Sequence, residues 1–164
     1  MADIVIDLGC KTWTGNEAAG GATEESIEKL RDWFRPGLLL AFDPHPQQSE
    51  GVWQWTETMV VARRAAAWVH GLGVHYCQNG LSSHVLPIHR GESNVETVPS
   101  FDLAELIRAL PAGVVLKMDI EGAEYALLPH LFNANLDKRI ARLLIEWHDG
   151  ERLPQGWSST VEKW

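Results

Sequence analysis

Several short apolar runs in this chain end in acids. Ile4-Val5-Ile6-Asp7-Leu8-Gly9 delivers Asp7 and Gly9, and Leu38 to Phe42 delivers Asp43. Val114 to Met118 delivers Asp119 and Glu121, and the run from Ile140 delivers Glu146 and His148. Random placement would scatter acids through loops and helix faces. Carboxylates beside an imidazole can orient hydroxyls and take protons from them. A histidine titrating near neutrality suits general-base work on a hydroxyl. Asp119, Glu121 and His148 are groups of these types. The same three could ligate a divalent metal, but nothing in the sequence fixes their spacing, so no metal is expected.

Repetition at one edge requires elements that bring the acids there. The pattern predicts strands at Ile4 to Gly9, Leu38 to Phe42, Thr58 to Ala62, Val114 to Asp119 and Ile140 to Trp147. Helical spacing predicts a helix from Glu24 to Arg35, with Thr23 or Ser26 as its cap, and another capped by Ser100 with Leu103, Leu106, Ile107 and Leu110 on one face. A third, from Glu121 to Leu128, should kink or end at Pro129. The middle stays open. Ala62 to Trp68 reads as a helix, or as strand leading to a hairpin whose second arm is Gly73 to Cys77. Strands alternating with helices predict an α/β fold, a mostly parallel sheet with helices on both faces, in a single domain spanning 1–164. Ligands of such sheets bind beyond the carboxyl ends of the strands, where the strand order reverses.

Composition narrows the partners. The chain has 164 residues, is 45% hydrophobic and carries a formal charge of −8, which disfavours nucleic acid. No window approaches the ~20 apolar residues of a membrane span. Two cysteines, Cys10 and Cys77, make no disulfide framework and suit a reducing cytoplasm.

The acidic edge lacks a phosphate cradle. After Gly9 the sequence runs Cys10-Lys11-Thr12-Trp13, without the glycine spacing of a dinucleotide site. A cationic ligand with a ribose and no phosphate fits better, and S-adenosylmethionine is one. Asp43 stands where a carboxylate would accept both ribose hydroxyls. Leu116-Lys117-Met118-Asp119-Ile120-Glu121-Gly122-Ala123-Glu124-Tyr125, followed by Leu128, resembles the signature of FkbM-type S-adenosylmethionine-dependent methyltransferases. Asp7-Leu8-Gly9-Cys10, Phe42-Asp43-Pro44-His45-Pro46, Val98 to Leu103 and Ile145-Glu146-Trp147-His148 resemble further parts of that pattern, in order. The resemblance implies a Rossmann-like class I methyltransferase fold. It places Asp7 and Gly9 at the methionine end of the cofactor, Asp43 at the ribose, Ala66 to Trp68 near the adenine, and Asp119 and Glu121 toward the methyl group. It implies O-methylation of a hydroxyl on a small metabolite or sugar, and for removal of the hydroxyl proton it makes Asp119, Glu121 and His148 the candidate catalytic bases.

Two departures stand out. Thr12 to Thr23 is a long polar loop where the fold usually turns into a helix, and only Asp149 to Trp164 follow the fifth strand, too few for the usual C-terminal strand pair. The bare edge is expected to be covered by Trp157 to Trp164 or by a second subunit in a homodimer. A truncated, inactive S-adenosylmethionine-binding protein is the alternative; a nicotinamide dehydrogenase ranks third. Gly15 to Gly21 and Ser82 to Glu96 are the expected acceptor-side loops. Lys117 is expected to reach the sheet's edge and pair with an acid. Trp53, Trp55, Trp68 and Trp147 are expected in the core or at its rim, and the other histidines at the surface.

Overall fold

The apolar runs pair into one sheet, and a second, smaller set of strands folds over its carboxyl end. The computed structural model describes residues 3–10, 25–46, 50–78, 84–86, 94–148 and 153–164. In chain order the strands are β1 (Ile4–Leu8), β2 (Leu38–Phe42), β3 (Gly51–Trp55), β4 (Thr58–Arg63), β5 (Ala66–Trp68) and β6 (Val74–Cys77). They continue with β7 (His84–Leu86), β8 (Val95–Val98), β9 (Ser100–Asp102), β10 (Val114–Met118), β11 (Ile140–Ile145) and β12 (Thr160–Lys163). The helices are α1 (Glu25–Phe34), α2 (Leu103–Ala109) and α3 (Glu124–Asn133).

Seven strands form the main sheet in the order β12-β11-β10-β1-β2-β4-β3. All neighbours are parallel except β3, which runs antiparallel to β4. The chain builds outward from β1 to β2 and β4, then crosses back to β10 and builds the other way. The order therefore reverses between β1 and β10, which opens a crevice at their carboxyl ends. Near-continuous burial of β1 and β10 is what a parallel sheet covered on both faces demands. Val5, Leu39, Ala41, Val60, Val115 and Leu144 pack under Ile27, Leu30 and Phe34 of α1. Ile6, Leu8, Leu40, Leu116, Met118 and Ile145 pack under α2 and α3 on the opposite face. Helices thus cover both faces, as expected. Among the described residues no helix is long and apolar enough to cross a membrane.

Several local expectations change. Ala62 to Trp68 is not a helix: β4 ends at Arg63 and β5 pairs with β9, so backbone pairing overrides the helix preference of Ala and Arg. β6 does not return on the strand before it. It pairs antiparallel with β7 and β8, making a separate three-stranded sheet. β3 is a further strand beyond those expected, and its Val52-Trp53-Gln54-Trp55 alternates outward and inward. Ser100 does not cap α2. Its hydroxyl accepts from Gly73 N at 3.0 Å and donates to His70 O at 2.9 Å, while Asp102 caps the helix by accepting from Ala104 N at 2.8 Å. Ser26 lies inside α1 and is not its cap, and Thr23 lies outside the described residues. α3 starts at Glu124 because Glu121 and Gly122 have φ of 52° and 98°, which no right-handed helix admits. It then runs through Pro129, which deprives only the Tyr125 carbonyl of a partner, and buried Leu127, Leu128 and Leu131 hold it in place.

The C-terminal residues supply one strand. Thr160 to Lys163 pair in parallel with Arg142 to Ile145, so the chain itself covers the edge of β11.

Candidate functional site

The hydrogen-bond ladder sets the site. Leu8 aligns with Phe42 and Met118, and Met118 with Ile145, so Gly9, Asp43, Asp119 and Glu146 form the next row. Their amides keep the ladder going: Gly9 N donates to Phe42 O (2.9 Å), Asp119 N to Leu8 O (3.1 Å), Glu146 N to Met118 O (2.9 Å) and Asp43 N to Arg63 O (3.3 Å). Gly9 sits at the centre of the row, beside the crevice. A Cβ there would lie 1.8 Å from Asp119 O, and φ is +82°, so only glycine fits.

A pocket with about 580 Å³ of empty space, part of it open to solvent, lies over this row. Leu8, Gly9, Phe42, Asp43, Asp119, Ile120 and Glu121 form its floor, and Ala65 to Ala67, Tyr76, His84 and Val85 its far wall. Pro44, His45 and Ala123 complete the described lining. Among the described residues it carries three carboxylates, Asp43, Asp119 and Glu121, and neither Lys nor Arg. Asp43 is only 4% exposed, and its Oδ1 accepts from His45 N at 2.8 Å in a turn that fixes the carboxylate.

Of the expected cofactor residues, Gly9, Asp43, Ala66 and Asp119 line this pocket, while Asp7 and Trp68 do not. Asp7 lies two rows back, opposite Lys117 in register, and faces α1. It is wholly buried, meets Lys117 Nζ at 3.1 Å and accepts from Ser26 Oγ at 2.7 Å. Trp68 packs with Ala66, Val74, Tyr76 and Val98 in the small core behind the far wall. Lys117 pairs with an acid as expected, but does so deep in the sheet rather than at its edge. Its ammonium also donates to Gly9 O (3.1 Å) and Leu8 O (3.3 Å), and stands 3.5 Å from Asp119 Oδ2. Burial alone would lower its pKa. The carboxylates of Asp7 and Asp119 outweigh that and hold it above its ordinary value.

The expected bases do converge. His148 Nε2 lies 3.7 Å from Asp119 Oδ1 and 3.4 Å from Glu121 Oε2. The residue that orients it is Glu124, although an acid in the first turn of a helix has a sufficient reason to be there. Its fully buried carboxylate accepts from Ile120 N (3.1 Å) and Gly122 N (2.8 Å), and its Oε1 lies 3.0 Å from His148 Nδ1. In the tautomer that donates its Nδ1–H to Glu124, His148 presents its Nε2 lone pair toward Asp119 and Glu121. Asp119, Glu146 and His148 each offer a ligand atom within 4.8 Å of the others.

His45 and His84 were expected at the surface yet line the pocket, as does Tyr76. His45 could have been flagged, because Asp-Pro-His-Pro follows a strand that ends at this edge. His84 could not, since β7 is three residues long, too short for a period to show. Of the two expected acceptor loops, Gly15 to Gly21 lies outside the described residues, and Ser82 to Glu96 contributes β7 to the far wall. None of Trp53, Trp55 and Trp147 lines the pocket; all three pack at the rims of the cores. Comparisons with protein-family models, with curated proteins and with solved structures find no match.

Proposed function

We propose that this chain is an S-adenosylmethionine-dependent methyltransferase of the FkbM type, transferring a methyl group to a hydroxyl of a small metabolite or sugar. The observation that carries this reading is the pocket at the strand-order reversal, lined, among the described residues, by three carboxylates and by no Lys or Arg. Such a lining repels phosphate and favours a ligand with a sulfonium and an ammonium. The donor set therefore fits that cofactor. In this reading the fold is a class I methyltransferase sheet with one strand, β12, in place of the usual closing pair.

Asp43 would accept both ribose hydroxyls, and its fixed carboxylate loses little freedom in doing so. Gly9, with no side chain, lets the ligand approach the backbone at the crevice, and Asp119 stands beside it. Ala66, on the far wall, leaves flat apolar space for the adenine. Asp7 acts at one remove, by holding Lys117 and so the ends of β1 and β10. When bound, the cofactor supplies an electrophilic methyl group whose carbon–sulfur bond breaks as the hydroxyl oxygen attacks in line. The chain's share is to position that oxygen and take its proton. Asp119, Glu121 and His148 are the groups placed to do so. A reducing cytoplasmic setting belongs to this reading, as two cysteines suit it.

Isothermal titration tests the proposal. Wild type should bind S-adenosylmethionine and not NAD. Asp43→Ala should weaken binding about 10- to 150-fold, since charge-assisted hydrogen bonds contribute about 1.5–3 kcal/mol. Absence of S-adenosylmethionine binding by folded wild type would overturn the reading. A methyl-transfer assay over sugars and small hydroxylated acceptors then separates an enzyme from a binding protein.

A further inference from the structure

Beside the pocket, Asp119, Glu146 and His148 come from the ends of two adjacent strands, β10 and β11. We infer that these three side chains form a site for a divalent cation of the Mn²⁺ class, set to hold an acceptor oxygen at the pocket's edge. This role for the cluster rests on the methyl-transfer reading, whereas the cation site itself does not.

Geometry is the first support. Metal–oxygen and metal–nitrogen bonds of about 2.1 Å put cis ligands about 3.0 Å apart and trans ligands about 4.2 Å apart. The three ligand atoms already lie within 4.8 Å of one another, and His148 Nε2 is 3.7 Å from Asp119 Oδ1. Closing on an ion asks for side-chain shifts of about half an ångström and no movement of the strands. The 3.7 Å from His148 Nε2 to Asp119 Oδ1 is too long for a good hydrogen bond but natural for two groups that share an ion.

A second support comes from outside the cluster. Metal-binding histidines hand their other ring nitrogen to a carboxylate or carbonyl, which fixes ring and tautomer. Glu124 does this here. Its carboxylate is wholly buried, pinned by two backbone amides, and lies 3.0 Å from His148 Nδ1. That is a costly arrangement for a histidine with no more to do than cover a surface. Among the described residues, Lys117 beside Asp119 is the one Lys or Arg paired with these acids.

Two carboxylates and one imidazole suit Mn²⁺ better than Mg²⁺, which prefers oxygen alone. Three protein ligands leave coordination positions open for water or for acceptor hydroxyls. With Asp119 and His148 committed to the ion, Glu121 on the pocket lining is left as the proton acceptor for the hydroxyl.

Electron paramagnetic resonance with Mn²⁺ alone provides the test. The six-line signal of aqueous Mn²⁺ should diminish on adding the protein, saturating at one ion per chain. Glu146→Gln, at an exposed side chain that folding does not need, should weaken binding at least about tenfold. Glu124→Gln should weaken it about 10- to 100-fold, as loss of an outer partner does, and its folding is checked by circular dichroism. An unchanged aqueous signal with wild type, or Glu146→Gln binding as wild type does, would overturn the site. If Mn²⁺ binds while S-adenosylmethionine does not, the cation site stands and the methyl-transfer reading falls. If S-adenosylmethionine binds while Mn²⁺ does not, the reverse holds.

Discussion

Replacing Gly9 by alanine should cost far more than one methyl group suggests. The residue is in the left-handed region at φ +82°, where a side chain costs about 1–2 kcal/mol. Its Cβ would also stand 1.8 Å from the backbone oxygen of Asp119 and 2.9 Å from that carbonyl carbon. Neither atom is the end of a flexible chain. The backbone of β10 would have to move away from β1, an overpacking cost of about 1–3 kcal/mol. The sum, about 2–5 kcal/mol, corresponds to a fall in Tm of roughly 4–20 °C for a domain of this size. Gly113 supplies the matched control. Its φ is +95°, and nothing lies within 4 Å of a built Cβ, so Gly113→Ala should cost only the conformational part, about 1–2 kcal/mol. Urea unfolding of the two variants measures both. The overlap also displaces Asp119 from the pocket, so Gly9→Ala should weaken S-adenosylmethionine binding while Gly113→Ala should not. Equal losses of stability in the two variants, or undiminished binding by Gly9→Ala, would refute the idea that close approach of β1 and β10 shapes the site.

The buried Asp7–Lys117 pair gives a double-variant test. Lys117→Met should cost about 3–5 kcal/mol by stranding Asp7, and adding Asp7→Leu should recover most of it; a double variant no more stable than the single one, by urea unfolding, would contradict this. The raised pKa of Lys117 has a pH consequence. Its stabilisation is fully present below the unfolded value of 10.5 and is lost as pH rises through the higher folded value, so Lys117→Met should flatten the alkaline limb of a stability–pH curve. Asp102 behaves oppositely. Burial raises its pKa, but hydrogen bonds from His130 and from the amides of Ala104 and Glu105 lower it further, to below 3.8. The contribution is therefore present above 3.8 and disappears as pH falls through the folded value, and thermal melts of Asp102→Asn should lack this acid dependence. Asp102→Ala, which also removes the cap of α2, should cost about 0.5–2 kcal/mol at neutral pH.

How much of this was legible depended on which physical signal each element carried. Apolar runs of the parallel core read well, because a strand buried on both faces is apolar at nearly every position: Leu38 to Phe42 was bounded to the residue. The strands β5 to β9 read poorly. They are three or four residues long, too short for a period to declare itself, and their partners are set by contacts distant in sequence. At α2 the boundary moved by two residues because Ser100 and Asp102 are both good caps, and only the pairing of β9 with β5 decides between them. Within the site, Asp119, Glu121 and His148 were found by their positions after strands. Glu124 was ambiguous, since an acid in the first turn of a helix has a sufficient reason to be there. Its burial, which no periodicity announces, is what separates the two roles.

Register explains why acids that look equivalent in sequence differ in the fold. Asp7 and Asp43 each seem to terminate a strand, but Asp7 aligns with Ala41, whereas Asp43 lies one step past the last pair of β2. A residue inside a parallel strand has its direction set by the pleat, and Asp7 is consequently driven under α1, where only a partner such as Lys117 makes its charge tolerable. A residue one step beyond the ladder still donates its amide to the neighbouring strand, yet its side chain is released from the packed faces. Gly9, Asp43, Asp119 and Glu146 all occupy that row. Shifting β10 by one residue against β1 would bury Asp119 in the sheet and bring Lys117 out of opposition with Asp7. The ion pair therefore does more than satisfy two buried charges: it penalises the slipped register that would dismantle the site. The same substitution that tests stability, Lys117→Met, should for this reason impair ligand binding beyond its effect on folding, and Asp7→Leu should restore stability without fully restoring binding.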